Sequence, residues 1–364
     1  MPSRKSGGSR PAPSIVRRLL CAGAGALVLC LLHGCVSLTQ SQEVALSREP
    51  GERVLGHSVD VGVEARKHWE FAWLSARAYN AHYIEATGVA PEPSRLQSGS
   101  AGVQGLKVER TCPNPDDVLS NAQWQPWRDF PGPQDGDLAR RLNKAHLRVE
   151  VWEHPSTRRV VVAFGGTVFT NASDWLSNIR WFLPEREDEY TMIQKDFVKA
   201  FVARYKARAA DPRNAHLQGS GGGVKLYATG HSLGGGLAQQ FAYALPADAD
   251  VPRVERVYAF DPSPVTGYYS VDETVREPNA SRLEIDRIYE RGEVLAFVRS
   301  ITSFVVPPAA NAPKIRSVRY ALFYSVGTSW NIVGAHSIPR LACELDEAKN
   351  RAEPPARAAT APAD

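Results

Sequence analysis

The sequence predicts an α/β sandwich built on a mainly parallel sheet, and three observations carry that expectation. First, residues 160–164 form a continuous apolar run, as expected of a strand covered on both faces, and the apolar-rich runs at 224–228 and 254–260 read as further strands. Second, segments with helical periodicity, residues 192–210 and 233–245, fall between those runs. Strand–helix–strand alternation is the pattern of a parallel sheet flanked by helices. Third, a glycine-serine-glycine turn, Gly230-x-Ser232-x-Gly234, sits where the second run gives way to the second helix.

The chain has 364 residues, of which 43% are hydrophobic and 23% charged. That balance excludes disordered, collagen-like and multi-span membrane classes. Five cysteines are too few for a disulfide-built miniprotein. The formal charge of +4 is outweighed by Arg4, Lys5, Arg10, Arg17 and Arg18, which all precede an apolar stretch. The remainder is near neutral and carries no electrostatic footprint for nucleic acid.

In chain order, residues 19–32 form that apolar stretch, too short to span a bilayer and suited to a secretory signal. It ends in Leu32-His33-Gly34-Cys35. A small residue followed by Cys at this place resembles the bacterial lipobox, which implies that Cys35 becomes the lipidated first residue. Export would then leave Cys112 and Cys343 as an even pair in an oxidising compartment, expected to form a disulfide. Residues 1–34 read as the signal and 35–54 as a polar tether. The domain is expected over 55–343, with its core at about 145–340. Residues 63–80 read as a helix, with Val63, Trp69, Trp73, Ala76 and Tyr79 on one face. Residues 84–145, rich in Pro, Gly, Ser and Trp, carry no clear assignment. Residues 147–152 alternate as a half-exposed strand, and 155–158 supply a turn. The helix at 192–210 stops before Pro212, 219–223 is a loop, and Pro246 ends the helix at 233–245. Further strands are expected at 286–289 and 318–325, and a disordered tail at 344–364. There is no Cys-x-x-Cys, no zinc spacing and no phosphate loop, so no cofactor or metal is expected.

Gly230, Ser232 and Gly234 have the spacing that a nucleophile on a strained strand-to-helix turn requires. Glycine on either side lets neighbouring backbone pass without a Cβ clash. The helix starting there aims N–H groups and its positive end at a reacting carbonyl, with the Leu233 N–H nearest. Ser232 is therefore the candidate nucleophile. In hydrolases with this turn the order is serine, acid, histidine. Of nine histidines only His336 follows Ser232, so it is the candidate base. His231 is expected to pack against the turn. Eleven acidic residues lie between Ser232 and His336. Asp261 and Glu293 both fit an acid in a loop beyond a strand, and Glu290 is a third, weaker option.

These residues resemble the class 3, fungal-type lipase family of the α/β-hydrolases over about residues 145–340. The family's Gly-His-Ser-Leu-Gly-Gly turn implies Ser232. Its strand ending Phe-Arg-Gly-Thr/Ser corresponds to Phe164-Gly165-Gly166-Thr167, implying the Thr167 N–H as an oxyanion donor, with Gly165 replacing Arg. Its Asn-Asp-Ile-Val-Pro turn falls at Gly292-Glu293-Val294-Leu295-Ala296, which implies Glu293 as the acid, with Glu for Asp. Phe260-Asp261-Pro262 also looks like the Asp-Pro of pancreatic-type lipases, so Asp261 stays open as the alternative. The amphipathic stretch 168–183 sits where the family has its lid, and equally suits a core-packing helix.

The function expected from this resemblance is hydrolysis of carboxylic esters of lipids through an acyl-enzyme. The partners are a lipid or ester substrate and a membrane holding the anchored amino terminus, with no nucleic acid. A phospholipase or short-chain esterase is the alternative, and an inactive envelope lipoprotein of the same fold the second. The expected location is the bacterial cell envelope, at the outer membrane.

Overall fold

The computed structural model describes residues 44–52, 57–80, 112–132, 135, 137–166, 192–218, 223–291, 313–322 and 336–351. All of them lie in the compact unit formed by residues 43–364.

Among the described residues one sheet holds nine strands: β1 (Val44–Arg48), β2 (His57–Val59), β3 (Gln125–Pro126), β4 (Val149–His154), β5 (Arg159–Phe164), β6 (Lys225–His231), β7 (Val254–Phe260), β8 (Glu284–Glu290) and β9 (Lys314–Ala321). Their order is β2-β1-β9-β8-β7-β6-β5-β4-β3. β5 to β9 run parallel, while β3–β4 and β1–β2 close the two flanks with antiparallel pairs. This is the mainly parallel α/β architecture that the alternating apolar runs predict.

Because side chains alternate along a strand, each central strand feeds two cores. Val160, Val162, Phe164, Leu226, Ala228, Val257 and Ala259 point to one face. There they meet α4 (Val198–Ala210, entered through a π-turn at Ile193–Phe197) and α5 (Leu233–Ala244). Val161, Ala163, Tyr258, Phe260, Ile288 and Val318 point to the other face, against α1 (Val61–Ala78) and α7 (Ile338–Ala348). Asp60 caps α1 by accepting the Val63 N–H at 2.6 Å. α2 (Pro115–Asn121), α3 (Leu138–Lys144) and α6 (Glu273–Ala280) complete the described helices. Cys112 and Cys343 are joined in a disulfide, with Cα atoms 5.8 Å apart, which ties the segment before α2 to α7. Among the described residues no helix is long and apolar enough to cross a membrane.

Two boundaries differ from the sequence expectation. The expected tether 35–54 contains β1, which pairs with β9 from Val44↔Ala321 to Arg48↔Ser317. Only five residues long and carrying the buried Ser47, β1 offers too little apolar alternation to stand out. The expected disordered tail 344–364 begins inside α7, where Leu345 and Ala348 are fully buried. They continue the apolar stripe of Ile338, Leu341 and Ala342, which intervening Glu344, Asp346 and Glu347 conceal.

The carboxyl ends of the central strands finish level, with Phe164 opposite Gly230, His231 opposite Phe260, and Phe260 opposite Ile288. Residues just past that rim are thereby gathered on one edge of the sheet, the place where open α/β sheets bind ligands.

Candidate active site

Ser232 emerges from that rim between the last residue of β6 and the first of α5. Its backbone takes φ 58°, ψ −123°, a conformation that a residue with a Cβ rarely adopts. The surroundings dictate that bend. The Ser232 N–H donates to the Phe260 carbonyl at 2.9 Å, and the Ser232 carbonyl accepts from Gly235 at 3.1 Å and Ser263 at 2.9 Å. A Cβ at Gly230 would strike the Gly234 carbonyl, and one at Gly234 the Phe164 carbonyl. Glycine at both positions is thus a packing requirement of the turn. Ser232 keeps 8% of its surface exposed at the start of α5, where the helix N–H groups point outward.

Asp261 follows β7 and is fully buried, with φ 40°. Its N–H donates to the Ile288 carbonyl at 2.7 Å, and its Oδ1 accepts the Glu290 N–H at 3.2 Å, so the turn beyond β7 is pinned to β8. His336 directly precedes the Ser337 cap of α7. Its ring lies 4.5 Å from that of His231, centroid to centroid. One ligating atom from each of His231, Asp261 and His336 lies within 4.8 Å of the others. The structure therefore brings the candidate base to one of the two candidate acids, beside the residue that precedes Ser232. Two imidazoles and a carboxylate are also a donor set for a transition metal, so these three are the residues that could hold one.

His231 is buried, with Nδ1 2.6 Å from the Tyr79 hydroxyl and Nε2 3.9 Å from Asp261 Oδ2. Glu290, the third acid candidate, turns its carboxylate to the Leu322 N–H at 3.0 Å and so holds β8 to the end of β9. Gly165 takes the place of the resembling family's Arg. A Cβ there would lie 2.6 Å from the Ala78 carbonyl, because the end of α1 packs against this point. Leu233 is in the first turn of α5. Thr167, Glu293, Cys35 and the stretch 168–183 lie outside the described residues. Sequence reading missed Tyr79 as part of this neighbourhood. It placed Tyr79 on the apolar face of α1, and helical periodicity carries no sign that one tip of that face meets the serine turn.

Residues 161–295 match the model of the class 3 lipase family. None of the curated proteins matches the chain in sequence. Among solved structures, the chain is similar to the Rhizomucor miehei lipase propeptide complex at 15% identity, covering 76% of this chain and 78% of that one, with a TM-score of 0.36. It is also similar to the Lip2 lipase from Yarrowia lipolytica at 12% identity, covering 65% and 74%, with a TM-score of 0.35. The family match, together with the parallel sheet and its serine turn, supports an ester-hydrolysing enzyme of lipase type on the α/β-hydrolase fold.

Proposed function

We propose that this chain is a serine hydrolase that cleaves carboxylic esters of lipids, with Ser232 as nucleophile, His336 as base and Asp261 as the acid that orients it. The observation that carries the reading is the strained Ser232 turn opening α5, with Asp261 and His336 grouped at the same sheet edge. Asp261 is preferred for its proximity to His336, and Glu293 remains the rival to be tested beside it.

Ser232 Oγ attacks the ester carbonyl carbon while His336 takes the hydroxyl proton. The carbonyl oxygen becomes an oxyanion, held by the Leu233 N–H at the helix start and by the Thr167 N–H after β5. Loss of one such donor costs about 10²–10³ in rate. His336 then hands its proton to the departing alcohol. Water, deprotonated in turn by His336, attacks the acyl-enzyme and releases the acid. Asp261 offsets the imidazolium charge from a fully buried position. A lipid anchor at Cys35 would hold the enzyme at the bacterial envelope, consistent with an ester substrate drawn from a membrane.

The test is labelling with a serine-directed fluorophosphonate, followed by hydrolysis of esters of graded chain length. Labelling is expected in the wild type and lost in Ser232→Ala, and a folded wild type that takes no label refutes the reading. Asp261→Asn is expected to lower kcat by on the order of 10⁴. A loss of that size in Glu293→Gln, with Asp261→Asn near wild type, would transfer the acid's role.

A further inference from the structure

Tyr79 ends α1 and takes no part in the steps above, yet its hydroxyl stands at the junction of three pieces of the site. It hydrogen-bonds His231 Nδ1 at 2.6 Å and lies 3.5 Å from the His231 carbonyl oxygen. The same phenolic oxygen lies against Gly166, where a Cβ would collide with it. A Cβ at Gly166 would also lie 2.7 Å from the His231 carbonyl, so glycine lets the end of β5 approach both the Tyr79 hydroxyl and the serine turn. The β5–β6 ladder stops at Phe164↔Gly230. Past that pair no ladder bond joins the two segments, and the Tyr79 hydroxyl lies beside both Gly166 and His231.

We propose that Tyr79 is a positioning residue for the hydrolase, its hydroxyl fastening the end of β5 to the serine turn through His231. The inference rests on the ester-hydrolase reading and adds to it a group that touches neither substrate nor the reacting atoms. Gly166 immediately precedes Thr167, and His231 immediately precedes Ser232. A nucleophile and an oxyanion donor carried by separate strands must be held to within about 0.5 Å of productive geometry. A phenol is suited to the task because it accepts one hydrogen bond and donates another. With Nδ1 turned to the phenol, His231 Nε2 lies 3.9 Å from Asp261 Oδ2. The His231 ring is thereby set 4.5 Å from that of His336, so one hydroxyl also fixes the surface against which the base packs.

The test compares wild type, Tyr79→Phe, His231→Gln and the double variant as full-length protein, with active sites counted by fluorophosphonate. Tyr79→Phe keeps the ring and loses only the hydroxyl. The expected result is a fall of about 10² in kcat per labelled site, the cost of misplacement by about 1 Å, with KM unchanged. Affinity for a boronic-acid mimic of the tetrahedral intermediate should fall in parallel. Because both single variants break the same hydrogen bond, the double variant should be no slower than the slower single one. A purely structural Tyr79 would lower the unfolding midpoint while leaving kcat per labelled site intact, and that result overturns the proposal. Fully additive losses in the double variant overturn it as well. A wild type that neither labels nor hydrolyses sinks this inference together with the reading beneath it. An active wild type matched by Tyr79→Phe sinks the inference alone.

Discussion

Replacing Ser232 by glycine separates the chemistry of the serine turn from its strain. Ser232 holds φ 58°, ψ −123°, outside the regions open to residues with a Cβ. A backbone state of this kind costs about 1–3 kcal/mol. Glycine removes that cost but brings about 0.5–1 kcal/mol of extra freedom to the unfolded chain. Ser232→Gly should therefore gain a net stability of about 1 kcal/mol over the wild type, the difference between the midpoints of the two ranges. Ser232→Ala keeps the Cβ and hence the strain, and should stay within about 0.5 kcal/mol of wild type. Both variants should lose hydrolysis, so activity cannot distinguish them. Equilibrium urea unfolding of the three proteins side by side can, provided the slopes agree and only the midpoints shift. A glycine variant no more stable than the alanine variant would refute the claim that the turn stores strain.

Three further outcomes are expected. The Cys112–Cys343 disulfide spans 231 positions, for which loop-closure entropy gives a ceiling of about 5 kcal/mol. Cys343→Ser should lower the urea midpoint, as should a reductant added to wild type, and a midpoint indifferent to both would contradict the link. Zinc should inhibit hydrolysis reversibly by drawing His231, Asp261 and His336 around the ion, whereas calcium, which prefers oxygen ligands, should not; equal inhibition by both would exclude this mode. Burial pushes the Glu64 carboxyl up, but bonds from Arg316 and Lys67 overcome it and hold the group below its ordinary 4.5. A depressed folded-state value means stability that is present above pH 4.5 and lost as the pH falls through the folded value. The stability gap between wild type and Glu64→Gln should narrow below pH 4.5, and a constant gap would show that the pair does not titrate with folding.

Much of the fold was legible because its central strands are covered on both faces. Val160 to Phe164 announces itself as an apolar run, and Val254 to Phe260, apolar from Val257 on, is observed at the predicted bounds. Flanking elements were hidden for the opposite reason. β3 has two residues, β1 has five, and α2 and α3 have seven each, below the length at which periodicity is informative. Ser232 could be singled out because its turn demands glycines at fixed spacing, a constraint written locally. Asp261 could be named but not chosen, since its nearness to His336 depends on strand register rather than spacing. Tyr79 was legible only as an apolar face residue. Its meeting with His231 joins positions separated by 152 residues, and nothing local records it.

β1 flanks β9, and α1 lies against α7. Glu49, just past β1, and Arg316, inside β9, bond across a separation of 267 positions. A nascent chain leaves the ribosome amino end first, so β1 waits for its neighbour until nearly the whole polypeptide has been made. Contacts so distant along the chain form slowly, and a waiting strand offers its free N–H and C=O groups to any other chain nearby. The order of synthesis thus builds in an interval of vulnerability to aggregation, during which a chaperone that shields this strand would raise the yield of folded protein.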